Sequence, residues 1–120
     1  MTRENDLVRQ ILLQVEASRT DGPMHRREFD VDADAETLNE HLRMLAGAGF
    51  LELRVIEEAA MPTTIEVLRL TWDGHEFLDT IRSDTVWEKT LQKVADTTGS
   101  TSLKVLQSLA TAIAKSELGL

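Results

Sequence analysis

The 120-residue chain contains no cysteine. Disulfides, thiolate zinc sites and cysteine nucleophiles are therefore excluded, and a reducing compartment fits. Long apolar runs are missing too. No stretch approaches the ~18 consecutive apolar residues of a membrane span, and the opening MTRENDLVRQ lacks the apolar core of a signal peptide. The expectation is a cytoplasmic protein with no membrane association. Positive charge is scarce: 13 Lys and Arg stand against 21 Asp and Glu, a net charge of −8. Phosphate neutralisation supplies most non-specific affinity for DNA, so this balance opposes duplex binding unless a local patch outvotes it. What remains is 42% apolar and 28% charged residues, the balance of a folded globular protein with one modest core.

Apolar periodicity organises the chain. Leu7, Val8, Ile11, Leu12 and Val15 recur at helical spacing after Asn5 and Asp6, which suit a helix start, so residues 5–18 are predicted helical. TDGP closes that helix, and MHRREF (24–29) is predicted as a short edge strand. Asp34 caps a predicted helix over 35–48 whose buried stripe is Leu38, Leu42 and Leu45, with His41 beside it; Gly49 stops it, and Phe50 folds back onto its last turn. LELRVIE (51–57) and TIEVLRLT (64–71) are rich in β-formers and flank a short turn, which predicts a hairpin. Thr71 caps a helix bearing Phe77, Leu78 and Ile81, and Ser83 and Asp84 start another bearing Val86, Trp87, Leu91 and Val94. DTTGSTS is predicted as a loop before a last helix over about 102–118. The order is that of an α+β winged-helix core (helix, short strand, helix, β-hairpin wing) with a C-terminal helical extension. As a single domain, residues 1–72 form the core and 73–120 pack on it or on a second subunit.

LTWDGHEFLDTIRSDTVWEKT (70–90), with NDLVRQILLQVE before it and HLRMLAGAGFLEL between, resembles a small uncharacterised family of bacterial genomes and prophages. The resemblance covers essentially the whole chain, and the 70–90 block is its most specific part. It implies a winged-helix fold and brings no catalytic residues, cofactor or partner, so it bears on fold and leaves function open.

The helix over 35–48 would be the DNA-reading helix of such a fold. Its outward face holds Glu36, Asn39, Glu40 and Arg43. Asn39 and Arg43 can meet base edges, but Glu36 and Glu40 would be repelled by phosphate. The wing adds Glu52, Glu57, Glu58 and Glu66 against Arg54 and Arg69, and the only compact basic feature is Arg26 with Arg27. Direct DNA reading, as a dimeric transcription regulator using Arg26, Arg27, Asn39 and Arg43, is therefore the second reading. The first is a non-enzymatic protein-binding module. Its acidic face, through Glu36, Glu40, Glu57, Glu58 and the wing-tip Met61, meets a basic protein surface. One specific form is a phage or prophage anti-defence protein whose acids imitate nucleic acid.

Other motifs favour bland readings. DVDAD (30–34) begins like a calcium loop, but the glycine and bidentate glutamate positions hold Ala35 and His41. His75-Glu76 begins like a zinc-protease motif, but the fourth residue on is Asp79. No Gly-x-Ser-x-Gly elbow or phosphate loop is present. No enzyme, metal or cofactor is expected. Trp72 and Trp87 are expected in or beside the core. Leu106, Leu109, Ala110 and Ile113 form an apolar stripe on the last helix, expected as a homodimer seam slightly ahead of plain core.

Overall fold

The computed structural model describes residues 4–18, 23–97 and 102–119. Among these residues it is an α+β protein with five helices and one small antiparallel sheet. The elements run α1 (Asn5–Ala17), β1 (Met24–His25), a single 3₁₀ turn (Arg26–Glu28), α2 (Ala35–Gly47), β2 (Leu51–Ile56), β3 (Thr64–Leu70), α3 (Trp72–Ile81), α4 (Asp84–Thr97) and α5 (Leu103–Glu117). The chain divides into two compact units, Met1–Gly74 and His75–Leu120.

In the first unit the sheet order is β1-β3-β2. The amphipathic stripes of α1 (Leu7, Val8, Ile11, Leu12) and α2 (Leu38, Leu42, Leu45) are buried, and α1 packs on β3 while α2 packs on β2. Burying such a leucine contributes about 1.5–3 kcal/mol. Asp34 caps α2, its Oδ1 accepting the Thr37 N–H at 2.7 Å. The end of α2 is a Schellman motif: Gly49, at φ +90°, donates to Ala46 O, and Phe50 donates to Leu45 O at 2.9 Å. Phe50 is fully buried, as its fold-back onto the helix requires.

Two local expectations need correcting, and the sheet register adds a feature of its own. Only Met24 and His25 of MHRREF are strand; the next three residues tighten into the 3₁₀ turn, where Glu28 Oε2 accepts the His25 N–H. The N-cap of α1 is Glu4 rather than Asn5, and its N–H is satisfied by a distant side chain rather than a local one. The strand β3 does not alternate evenly: the register pairs Glu52 with Arg69 and then Leu53 with Val67, leaving Leu68 as the bulged residue. The bulge lets Ile65, Val67 and Leu70 all enter the core although strict period-two alternation would put Arg69 there. The turn TDGP lies mostly on residues 20–22, and DTTGSTS partly on 98–101, both outside the described residues.

In the second unit, α4 packs against α5. Ser83 caps α4 through Val86 N–H, and Ser102 caps α5 through Val105 N–H at 3.1 Å. Trp87 is buried as expected, and Thr90 beside it on α4 is buried with its hydroxyl on Val86 O. Leu106 and Ala110 are fully buried within the single chain. That part of the α5 stripe therefore serves as core, and Leu109 and Ile113 are its half-buried members.

Candidate binding surfaces

The outer face of the sheet is laced by charge. Glu66, at 6% exposure, lies between Arg54 on β2 and His25 on β1, its cross-strand neighbours. Arg54 Nε donates to Glu66 Oε1 at 2.6 Å, and His25 Nε2 lies 3.3 Å from Oε2. One step along, Arg69 Nε meets Glu52 Oε2 at 2.7 Å. Both wing arginines are thus neutralised within the hairpin. Sequence reasoning counted them against the wing acids but could not pair them, because the pairing depends on a register that the bulge shifts.

Several other charges of the first unit stand alone. Among the described residues, no carboxylate pairs with Arg26, Arg27 or Arg43, and no side-chain hydrogen bond engages Glu36, Glu40, Glu57 or Glu58. Arg26, Arg27, Glu36, Arg43, Glu57 and Glu58 are exposed, while Asn39 and Glu40 are half-buried. Met61 is 63% exposed at the tip of the hairpin. The tip turns through Ala60 at φ +65°, a left-handed conformation that costs a non-glycine residue about 1–2 kcal/mol, with Met61 N–H on Glu58 O.

The structure gathers some of these residues and not others. Arg26 and Arg27 from the 3₁₀ turn, Asn39 from α2, and Met61 with Thr63 and Thr64 from the hairpin line one cleft of about 490 Å³. Arg43 and the four candidate acids do not line it. Asn39 Oδ1 is buried without a hydrogen-bond partner. The residues that sequence reasoning missed here are Thr63 and Thr64, which carry no signal until the hairpin folds over the 3₁₀ turn.

Trp72 overturns its expected place in the core. It is 78% exposed at the first turn of α3, because the side of that turn facing the rest of the unit is taken by Gly74 against Phe50. The acidic stretch 30–34 is held by structural bonds: the Gln14 amide pairs with both backbone groups of Asp30 at 2.8 Å, and Asp34 is the α2 cap. Hydrogen bonding from the Thr37 backbone holds the Asp34 carboxyl below the usual carboxylate range. No group of three or more His, Asp or Glu among the described residues could hold a metal ion, and none of their helices is long and apolar enough to cross a membrane.

The first unit is thus a small α+β module. Residues 2–101 match the family described as "Hypothetical protein (DUF2513)", and the chain belongs to that family. It is 35% identical over 115 residues to an uncharacterized protein of Haemophilus influenzae, covering 94% of this chain and 95% of that one. No solved structure matches it.

Proposed function

We propose that the first unit is a winged-helix module that acts by binding a basic protein surface through its acidic α2 and wing-tip face. The order α1, β1, α2, then the β2–β3 hairpin supports the winged-helix reading. The observation that carries the functional reading is the distribution of charge. Residues 1–74 hold fifteen acids against eight arginines, a net −7, whereas residues 75–120 hold six acids against five basic residues, a net −1. Almost the whole −8 therefore belongs to the unit that carries α2 and the hairpin. There, Glu36 and Glu40 on α2 and Glu57 and Glu58 at the tip are free of internal partners, while Arg54 and Arg69 are consumed by Glu66 and Glu52. A surface of unpaired acids steers basic partners and repels phosphate. Exposed Met61 adds an adaptable apolar contact beside those acids. A phage or prophage protein imitating nucleic acid would use such a face.

A second reading, a dimeric DNA-binding regulator, draws on the unpaired Arg26, Arg27 and Arg43. One titration separates the two. Fluorescence anisotropy with an arginine-rich peptide and with duplex DNA, each at low and physiological salt, is run alongside light scattering for mass. The protein-binding reading expects peptide binding that Glu36→Lys with Glu40→Lys abolishes, and no duplex binding. Salt-sensitive duplex binding, weakened by Arg43→Ala or by Arg26→Ala with Arg27→Ala, would replace it with the regulator.

A further inference from the structure

We infer that the cleft between the 3₁₀ turn, α2 and the hairpin tip is a binding site for a phosphate monoester carried on a nucleoside. It shares only Met61 with the acidic face proposed above, so the two readings stand or fall separately.

Arg26 and Arg27 are adjacent, exposed and like-charged. In a unit rich in acids, the two carboxylates that meet the neighbouring His25 are nevertheless engaged elsewhere. Glu28 is turned to the His25 N–H, and Glu66 is held by Arg54 and His25. Both line the same cleft without a carboxylate partner, so an anion entering it meets two uncompensated positive charges. Phosphate suits them best, because it accepts paired N–H bonds from each planar fork.

The rest of the lining selects what the phosphate is attached to. Thr63 and Thr64 supply hydroxyls able to donate to phosphate or sugar oxygens, and Met61 with Pro62 supplies an apolar wall at the tip. Asn39 contributes an amide whose Oδ1 is buried and unpaired. The amino group of that amide can donate to a ring nitrogen or carbonyl on the edge of a nucleobase, whose ring would lie against Met61 and Pro62. At about 490 Å³ the cleft falls in the range of small-molecule sites. A bare inorganic phosphate would leave both the apolar wall and Asn39 unused.

The experiment is isothermal titration calorimetry of the full chain with the four common nucleoside 5′-monophosphates, the matching nucleosides and inorganic phosphate. At least one monophosphate should bind at least about tenfold more tightly than its nucleoside and than phosphate alone. Arg26→Ala with Arg27→Ala should reduce that affinity about tenfold or more, with unchanged thermal unfolding because both residues are exposed. Asn39→Ala should narrow the differences between bases while keeping the dependence on phosphate. Glu36→Lys with Glu40→Lys should leave nucleotide binding in place, which separates this site from the acidic face. A short single strand with and without a 5′-phosphate identifies the source. Binding that needs the terminal phosphate places the ligand at a strand end, and binding of mononucleotides alone makes it a free metabolite. The inference is overturned if no monophosphate binds below about 1 mM, if nucleosides bind as well, or if the double arginine replacement changes nothing.

Discussion

The backbone N–H of Glu4 donates to Nε2 of His41, 37 residues further along the chain, at 2.9 Å. The other ring nitrogen, Nδ1, lies 2.8 Å from Thr37 O, one turn back on α2. The ring is therefore a neutral imidazole with its proton on Nδ1, bridging the start of α1 to the middle of α2. The Glu4 side chain itself makes no capping bond, and the histidine satisfies the N–H of this N-cap residue from another helix.

Replacing that imidazole with a methyl group removes both bonds and opens space at a fully buried position. His41→Ala is expected to destabilise the first unit by about 2–4 kcal/mol, from an orphaned N–H together with a cavity. Hydrogen exchange should show faster opening at the start of α1. A loss under about 0.5 kcal/mol in denaturant titration would mean that water replaces the ring at little cost.

Gly74 is required by close approach rather than by conformation. A Cβ there would run into the carbonyl oxygen of Phe50, which also accepts the Thr71 N–H at 3.0 Å. The obstacle is backbone held by the α2 Schellman turn, so it cannot swing aside. Gly74→Ala should cost about 1–3 kcal/mol, comparable to overpacking a core. Gly47→Ala, with open space at its Cβ and ordinary helical geometry, should be neutral or stabilising by up to about 1 kcal/mol. Thermal unfolding of the two variants checks the contrast.

The two hairpin ion pairs differ in burial, and so should their worth. Arg54→Ala leaves the buried Glu66 carboxylate with His25 alone and should cost about 1–3 kcal/mol. Arg69→Ala breaks a pair whose side chains are 71% and 44% exposed, and should cost under about 1 kcal/mol. Raising salt should shrink the second difference more than the first. Equal losses in denaturant titration would contradict the role of burial.

Asp34 gives the pH dependence. Its folded-state carboxyl titrates below its unfolded value because the ionised form accepts the Thr37 N–H. The stability it contributes is thus complete above the ordinary carboxylate value of about 4 and is lost as pH falls through the lower folded value. Asp34→Ala should lower the unfolding temperature at pH 7, and the gap from the parent should close as pH drops below about 4. A gap that stays constant down to pH 2 would show that the cap acts through packing instead of charge.

Much of this protein was legible in the chain because local chemistry determines it. The 3.6-residue recurrence of Leu38, Leu42 and Leu45, the Asp34 cap and the Gly49–Phe50 stop define α2 without reference to anything distant. The β-rich runs around EAAMPT define the hairpin in the same way. Relations between elements were out of reach. The bulge at Leu68 decides which residues of β3 face the core and which arginine meets which glutamate, and one shifted residue changes every pairing. Trp72 looked like core by composition, yet the requirement for Gly74 against Phe50 turns it outward. The Arg26–Arg27–Asn39 cleft likewise arises only when the hairpin tip closes beside the 3₁₀ turn. Sequence alone determined the elements, their order and the acidity of the first unit, since propensity, capping and charge are local or additive. Tertiary structure alone decided which charges are cancelled and which stand free, because that depends on register and on contacts between residues far apart in the chain.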